Sequence, residues 1–363
     1  MILINKISFV GIQGIPAKYG GFETAVEQIS LILGKQLEIT IFCSSKIYKQ
    51  KPFSLKKINN IKLIYLPVVP ISSLDKVFRE LIGITISLLN GSDVIHFFGP
   101  SFVYFLPKLF RKQTIITLDG FEWQRNSYSI ITKVIVLCLT KFDCLYNKKT
   151  VVDNIPVRNW ISKIWKRQTY QIGYGATTLK LNKTELKGIK HLPESYFLFV
   201  GRFVKEKGVD YLIDEFKSSN INENLVLMGF DPFGGQFLKE MKTKSEDDKR
   251  IIILDSEYGK NFHIILKKSK AFITGSLSEG MSPAILSAMG YGIPVILPLN
   301  EQNKRTTKSS GIFYDKKKDS LRNLLNSITE QQLKENSFKS LKIVEKYYNW
   351  KNISKKYVNL YCK

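Results

Sequence analysis

The chain has 363 residues, 44% hydrophobic and 12% aromatic, and its 55 Lys and Arg against 31 Asp and Glu give a formal net charge of +24. That length exceeds one ordinary domain of roughly 100–200 residues, so two domains with substantial cores are expected. No charge-free apolar run reaches the ~18 residues of a membrane span, Ile82–Asn90 and Val134–Thr140 being the longest candidates, so the chain is not expected to cross a bilayer.

In chain order the first element is a strand over 6–11, which the N-terminus enters directly; with no basic stretch, long apolar region and small-residue cleavage site before it, no signal peptide is expected. A glycine loop, Gly14-Ile15-Pro16-Ala17-Lys18-Tyr19-Gly20-Gly21-Phe22-Glu23, leads into a helix over 22–34 marked by Val26, Ile29, Ile32 and Leu33. The pair Gly20-Gly21 lets backbone approach a ligand closely. The loop is neither a Walker loop nor a dinucleotide fingerprint, since neither Gly-Lys-Ser/Thr nor Gly-x-Gly-x-x-Gly occurs in it. Further strands are predicted over 38–43, 62–66, 93–97, 114–118 and 149–152, with helices over 74–89 and 129–147. Gly173, Gly175 and the polar run Thr177–Lys187 read as a linker. The second half repeats the pattern, with strands over 196–200, 224–228, 251–254, 271–274, 293–296 and 311–313 and helices over 208–216, 234–243, 261–268 and 283–290. Such alternation indicates βαβ units and parallel sheets. Tyr347-Tyr348-Asn349-Trp350 followed by Ile353, Tyr357 and Leu360 reads as an amphipathic helix with aromatic anchors.

Five segments carry chemistry: the loop 14–23, Leu118-Asp119-Gly120-Phe121-Glu122-Trp123, Tyr174-Gly175-Ala176, the run Val200–Gly208 with Gly201-Arg202 and Lys207-Gly208, and Ser278-Glu279-Gly280-Met281-Ser282-Pro283 through Met289. Each alone is a weak signal. In this order and at these separations they resemble the rhamnosyltransferase-like branch of the family 4 retaining glycosyltransferases. The resemblance implies a GT-B fold: two doubly wound Rossmann-like α/β domains facing across a cleft, with a C-terminal helix crossing back to the first. The expected division is 1–175 for the acceptor side, 176–340 for the nucleotide-sugar donor side and 341–363 for the crossover helix. A nucleotide-diphosphate sugar is the implied substrate, with rhamnose the leading sugar and deoxythymidine or uridine diphosphate the leading carriers. The implied acceptor is a glycan or lipid-linked saccharide, in cell-surface polysaccharide synthesis.

The resemblance assigns roles position by position. Arg202 and Lys207 match the cations that contact the departing diphosphate, the Arg offering a planar fork and the Lys a mobile point charge. Gly20, Gly21, Gly280, Met281 and Ser282 complete the donor seat, where a turn of small residues at a helix start suits phosphate. Glu279 matches the first carboxylate of the family's paired-glutamate motif, but the position of the second is Ser287, which lacks a carboxylate's charge-assisted grip on a ribose diol. Asp119 is the second catalytic candidate beside Glu279: it can orient or deprotonate an acceptor hydroxyl, or simply bond the Gly120 turn. Glu122 and His96 are acceptor-side candidates, although a lone histidine at a strand end is more often structural.

Neither a cofactor nor an obligatory metal is expected. Cys43, Cys138, Cys144 and Cys362 show no Cys-x-x-Cys spacing, which also points to a reducing cytoplasm. Glu246-Asp247-Asp248 reads as a solvated loop. The positive charge, spread over both halves, attracts nucleotides, nucleic acid or an anionic membrane surface alike; no nucleic-acid motif accompanies it, so a specific nucleic-acid partner is not expected. Residues 76–89 and 102–112 mix apolar and basic side chains, as interfacial helices do and as ordinary domain helices also do. The alternative function is a non-catalytic GT-B partner subunit of a transferase complex, which Ser287 favours.

Overall fold

The computed structural model describes residues 4–18, 20–70, 72–124, 128–182, 192–276 and 281–363. The chain forms two compact units, one of the residues up to Tyr174 together with Trp350–Lys363, the other of Gly175–Asn349.

Unit 1 runs β1 (Lys6–Val10), α1 (Gly21–Leu33), β2 (Glu38–Ser44), α2 (Ser45–Tyr48), β3 (Leu55–Ile58), β4 (Ile61–Leu66), α3 (Ser72–Leu89), β5 (Val94–Phe98), α4 (Leu106–Leu109), β6 (Gln113–Leu118), α5 (Ile130–Tyr146), β7 (Thr150–Val152), α6 (Ile155–Trp165) and β8 (Tyr170–Gln171). Its eight-stranded sheet has the order β3-β4-β2-β1-β5-β6-β7-β8. All neighbours are parallel except β3, which pairs antiparallel with β4 through the two-residue turn Asn59-Asn60. Central parallel strands are covered on both faces and so read as continuous apolar runs; β5, Val-Ile-His-Phe-Phe, is buried throughout. Its Ile95 and Phe97 share one core with Val10, Phe42, Ile116 and Cys144.

Unit 2 runs β9 (Tyr196–Arg202), α7 (Val209–Lys217), β10 (Asn224–Phe230), α8 (Gln236–Ser245), β11 (Ile251–Asp255), α9 (Gly259–Lys268), β12 (Ala271–Ile273), α10 (Pro283–Gly290), β13 (Val295–Pro298), α11 (Glu301–Thr307), β14 (Gly311–Tyr314), α12 (Ser320–Ser327) and α13 (Glu330–Tyr347). Its six strands are all parallel in the order β11-β10-β9-β12-β13-β14. Phe197, Phe199, Leu212, Phe216, Leu225 and Leu227 anchor the core between β9, β10 and α7. Helix starts are fixed by side chains that satisfy the first free N–H groups: Asn154 accepts from Val157 N at 3.0 Å, and Thr329 with Gln332 forms a capping box.

The aromatic stretch read as one C-terminal helix is two. α13 ends at Tyr347 and α14 (Trp350–Tyr361) begins after the break at Tyr348 and Asn349. Tyr348 stays in unit 2, its hydroxyl donating to the Thr306 carbonyl at 2.7 Å. α14 belongs to unit 1 and packs on α1. Trp350, Ile353, Tyr357, Leu360 and Tyr361 are its buried face. With these two doubly wound units and the returning helix, the fold is GT-B.

Candidate functional site

Open α/β sheets bind ligands outside the carboxyl ends of their strands, where the winding direction reverses. In unit 2 the winding runs from β9 to β10 and β11, then resumes with β12 on the other side of β9, so the reversal lies between β9 and β12. Arg202 closes β9, Lys207 closes the tight turn Lys205–Lys207, and Gly208 starts α7 in the left-handed region at φ +63°. After β12, Gly275 meets Gly208 backbone to backbone: a Cβ on Gly208 would lie 2.5 Å from the Gly275 carbonyl oxygen. The two loops therefore touch only because both residues are glycine, and the α7 N-terminus between them has no side-chain cap. Its free N–H groups and partial positive charge favour an anion.

The next residue, Ser276, is 1% exposed and its hydroxyl has no hydrogen-bond partner among the described residues. Glu279 and Gly280 lie outside the described residues. Met281 and Ser282 are half-buried at the start of α10, where Ser282 is the N-cap without a side-chain cap bond and Pro283 opens the helix. Ser287 is buried within α10. Glu246-Asp247-Asp248 is a surface ion-pair loop, Asp248 meeting Arg250 at 2.7 Å and Asp247 meeting Lys217.

In unit 1 the reversal lies between β1 and β5. Gly11 and Gly14 follow β1 at φ +89° and +122°; a Cβ on Gly14 would overlap Cys43, so the loop lies flat on β2. Gly20 and Gly21 start α1, but an internal anion already attends that end: Glu23 is 4% exposed and accepts from Gln13 N at 2.9 Å. Burial raises its carboxyl, against the pull of the Gln13, Glu23 and Gly20 amides.

The loop after β6 places Asp119 and Glu122 half-buried, and its direction is set by Trp123, buried with ring centroids 5.1 Å from Trp160 and 5.8 Å from Trp165. Asp153, after β7, is buried and accepts from Asn154 Nδ2 at 2.7 Å. Tyr174 gathers these acids: burial first, and then the charges of Asp119, Asp153 and Glu23, hold its phenol protonated well above its ordinary range. His96 stands apart from them. It is fully buried in mid-β5, with Nδ1 3.0 Å from the Tyr361 hydroxyl and Nε2 2.8 Å from that of Thr117.

Residues 183–343 match the family model Glycosyl transferases group 1, and residues 4–177 match a Domain of unknown function, DUF1972. The first of these matches lies within unit 2. Among curated proteins the chain is similar to the Escherichia coli UDP-Gal:alpha-D-GlcNAc-diphosphoundecaprenol alpha-1,3-galactosyltransferase, 24% identical over 317 residues that span 81% of this chain and 79% of that one. Among solved structures it is similar to a sucrose-phosphate synthase from Thermosynechococcus elongatus (TM-score 0.81, 17% identity, 98% of each chain). It is also similar to Anabaena HepE in complex with UDP-glucose (TM-score 0.74, 14% identity, 98% of this chain and 99% of that one).

Within the matched segment, of the cations named from sequence Arg202 ends β9 and Lys207 stands in the turn after it. Sequence reading did not single out Gly275 and Ser276, although a Gly-Ser pair just after an apolar strand is a readable sign of close backbone approach. Asp153 was also missed: nothing local separates it from a capping Asp, and only the parallel pairing of β6 with β7 carries it to the same sheet edge as Asp119. Among the described residues no helix is long and apolar enough to cross a membrane.

Proposed function

We propose that this glycosyltransferase moves a hexosyl group from a uridine-diphosphate sugar to a lipid-linked or glycan acceptor, with retention of configuration, in cell-surface polysaccharide synthesis. The observation that carries this reading is the β9/β12 crevice, where Arg202, Lys207 and the uncapped α7 N-terminus meet a glycine-on-glycine contact. Breaking the bond from sugar C1 to the diphosphate oxygen leaves negative charge on the diphosphate, and preorganised cations and N–H dipoles stabilise charge where it develops. The acceptor hydroxyl forms the new bond to C1 and gives up its proton, for which Asp119 or Glu122 is the proposed base. Glu279, by its match to the family motif, would face the sugar.

Uridine-diphosphate hexoses fit the relatives better than rhamnose does: one is named for UDP-Gal and another is seen with UDP-glucose. Ser287 in place of a second glutamate supports a second reading, a non-catalytic partner that binds and positions another transferase. The test measures nucleoside diphosphate binding and release with UDP-galactose, UDP-glucose and deoxythymidine-diphosphate rhamnose. Wild type should bind and release uridine diphosphate, and Arg202→Ala with Lys207→Ala should nearly abolish binding; unchanged affinity in the folded double variant removes the site. Binding without release in wild type, with acceptor present, selects the partner reading.

We further propose a peripheral location on the cytoplasmic face of an anionic membrane. Supporting it, Ile130, Ile131, Val134, Ile135 and Cys138 expose one face of α5, with Ile130 and Ile131 at 80% and 72%. The sole acid of that helix, Asp143, is buried, and Lys133 and Lys141 flank the apolar face. Phe102, Phe105, Leu109 and Phe110 add exposed apolar surface beside Lys108, Arg111 and Lys112. Apolar side chains framed only by cations suit an anionic headgroup layer.

A further inference from the structure

Two acids anchor the loop after β5 from behind. Glu80 of α3 and Asp143 of α5 are 1% and 0% exposed. Ser101 spans them, its hydroxyl donating to Glu80 Oε2 at 2.8 Å and its amide donating to Asp143 Oδ2 at 3.2 Å. The other oxygen of each, Glu80 Oε1 and Asp143 Oδ1, has no hydrogen-bond partner among the described residues, and neither does the buried hydroxyl of Tyr104.

The surrounding charges do not neutralise two anions. Lys76 is 3.7 Å from Glu80 Oε1, but its ammonium donates to the Pro100 carbonyl at 2.7 Å. Arg79 is committed to Asp75 at 2.8 Å and to the Ile12 carbonyl at 3.1 Å. Lys108 donates to the Tyr146 carbonyl at 2.8 Å and sits 4.9 Å over the Tyr104 ring. Tyr104, Tyr146 and Cys144 bring no positive charge. Buried carboxylates persist as anions only when paired and fully hydrogen-bonded; otherwise they take up protons.

We propose that Glu80 and Asp143 are positioning residues that hold a proton between them at neutral pH, and that this proton locks the Gly99–Ser101 loop beside the β1/β5 crevice. Burial pushes the Asp143 carboxyl up to about 8, with the Ser101 amide and Lys76 opposing and Glu80 adding to the rise. Burial also raises the Glu80 carboxyl, against Lys76, the Ser101 hydroxyl and Arg79. Loss of the proton places a second negative charge in the same dry pocket, and the Ser101 bridge gives way. The crevice backbone follows, because the Lys76 ammonium that pairs with Glu80 also holds the Pro100 carbonyl of this loop.

The readouts are infrared absorption, unfolding and amide exchange, so the inference stands or falls separately from the transferase reading. Wild type at about pH 6 should show a protonated-carboxyl C=O band that is lost by about pH 9.5 and absent from Asp143→Asn. Wild-type stability should fall as pH rises from about 4 to about 8, whereas Asp143→Asn should be flatter there. Amide exchange at Val103, which donates to the Ser101 hydroxyl at 3.2 Å, should accelerate beyond its intrinsic base catalysis by about ten-fold per pH unit up to about pH 8 and level off above it, in wild type only. Glu80→Gln removes the neighbouring negative charge and should move the infrared titration to lower pH; it also serves if Asp143→Asn does not fold. A wild type without the protonated band, or a Glu80→Gln titration unmoved from wild type, overturns the proposal.

Discussion

His96 lies in the middle strands of the first sheet with both ring nitrogens engaged, and the Tyr361 hydroxyl that meets Nδ1 comes from the last helix turn of the chain. Both partners are hydroxyls, which can donate or accept, so it is complete burial that keeps the ring neutral. Burial pushes its pKa down to about 3, against about 6.5 in an unfolded chain. Between those values the unfolded chain binds a proton that the folded one does not. The stability is therefore complete above about pH 6.5 and falls by about 1.4 kcal/mol per unit as pH drops toward 3. Urea unfolding at several pH values should show the wild type's advantage over His96→Gln shrinking on acidification. Tyr361→Phe leaves Nδ1 unpaired in the core and should cost about 1–3 kcal/mol at neutral pH. The residue expected on the acceptor side from sequence is here a tether for α14.

Among the elements, the loops after β9 and β12 depend on a single atom being absent. Gly208→Ala would place a methyl 2.5 Å from the Gly275 oxygen at a φ that L residues rarely adopt. The variant should lose about 1–3 kcal/mol of stability and bind uridine diphosphate more weakly than its residual fold would suggest; normal affinity would separate this contact from the anion seat. The strands of both sheets were legible because buried parallel strands are largely continuous apolar runs, as Phe197–Val200 and Leu225–Met228 are. β3 was not, since all four of its residues are exposed and Leu55-Lys56-Lys57-Ile58 has no buried face; its signal was the turn, where Asn59 takes φ +52°. α6 was missed although Val157, Trp160, Ile161, Ile164 and Trp165 repeat at helical spacing; its start rests on the Asn154 cap with Pro156 in the first turn. Arg202 and Lys207 were legible from a glycine-flanked motif, whereas Ser101 joining Glu80 to Asp143 requires contacts between residues far apart in sequence.

On the scale of the whole molecule the +24 charge acts as a field rather than as contacts. The protein should sediment with vesicles containing anionic lipid at low salt and be released as ionic strength rises, because screening shortens to about 10 Å at 0.1 M. Ile130→Glu with Ile131→Glu should reduce that sedimentation without altering uridine diphosphate binding, and equal partitioning onto neutral vesicles would remove any role for the charge. The chain leaves unit 1 after Tyr174 and returns to it only at Trp350. During synthesis, then, the first sheet must wait for the last helix: at roughly 5–20 residues per second the ribosome needs on the order of ten to forty seconds to deliver it. Through that interval the nascent sheet has emerged with the His96 ring nitrogen and the face of α1 that α14 covers still open. Unit 2, contiguous in sequence, is released whole before its predecessor is finished, so the order of maturation runs opposite to the order of translation.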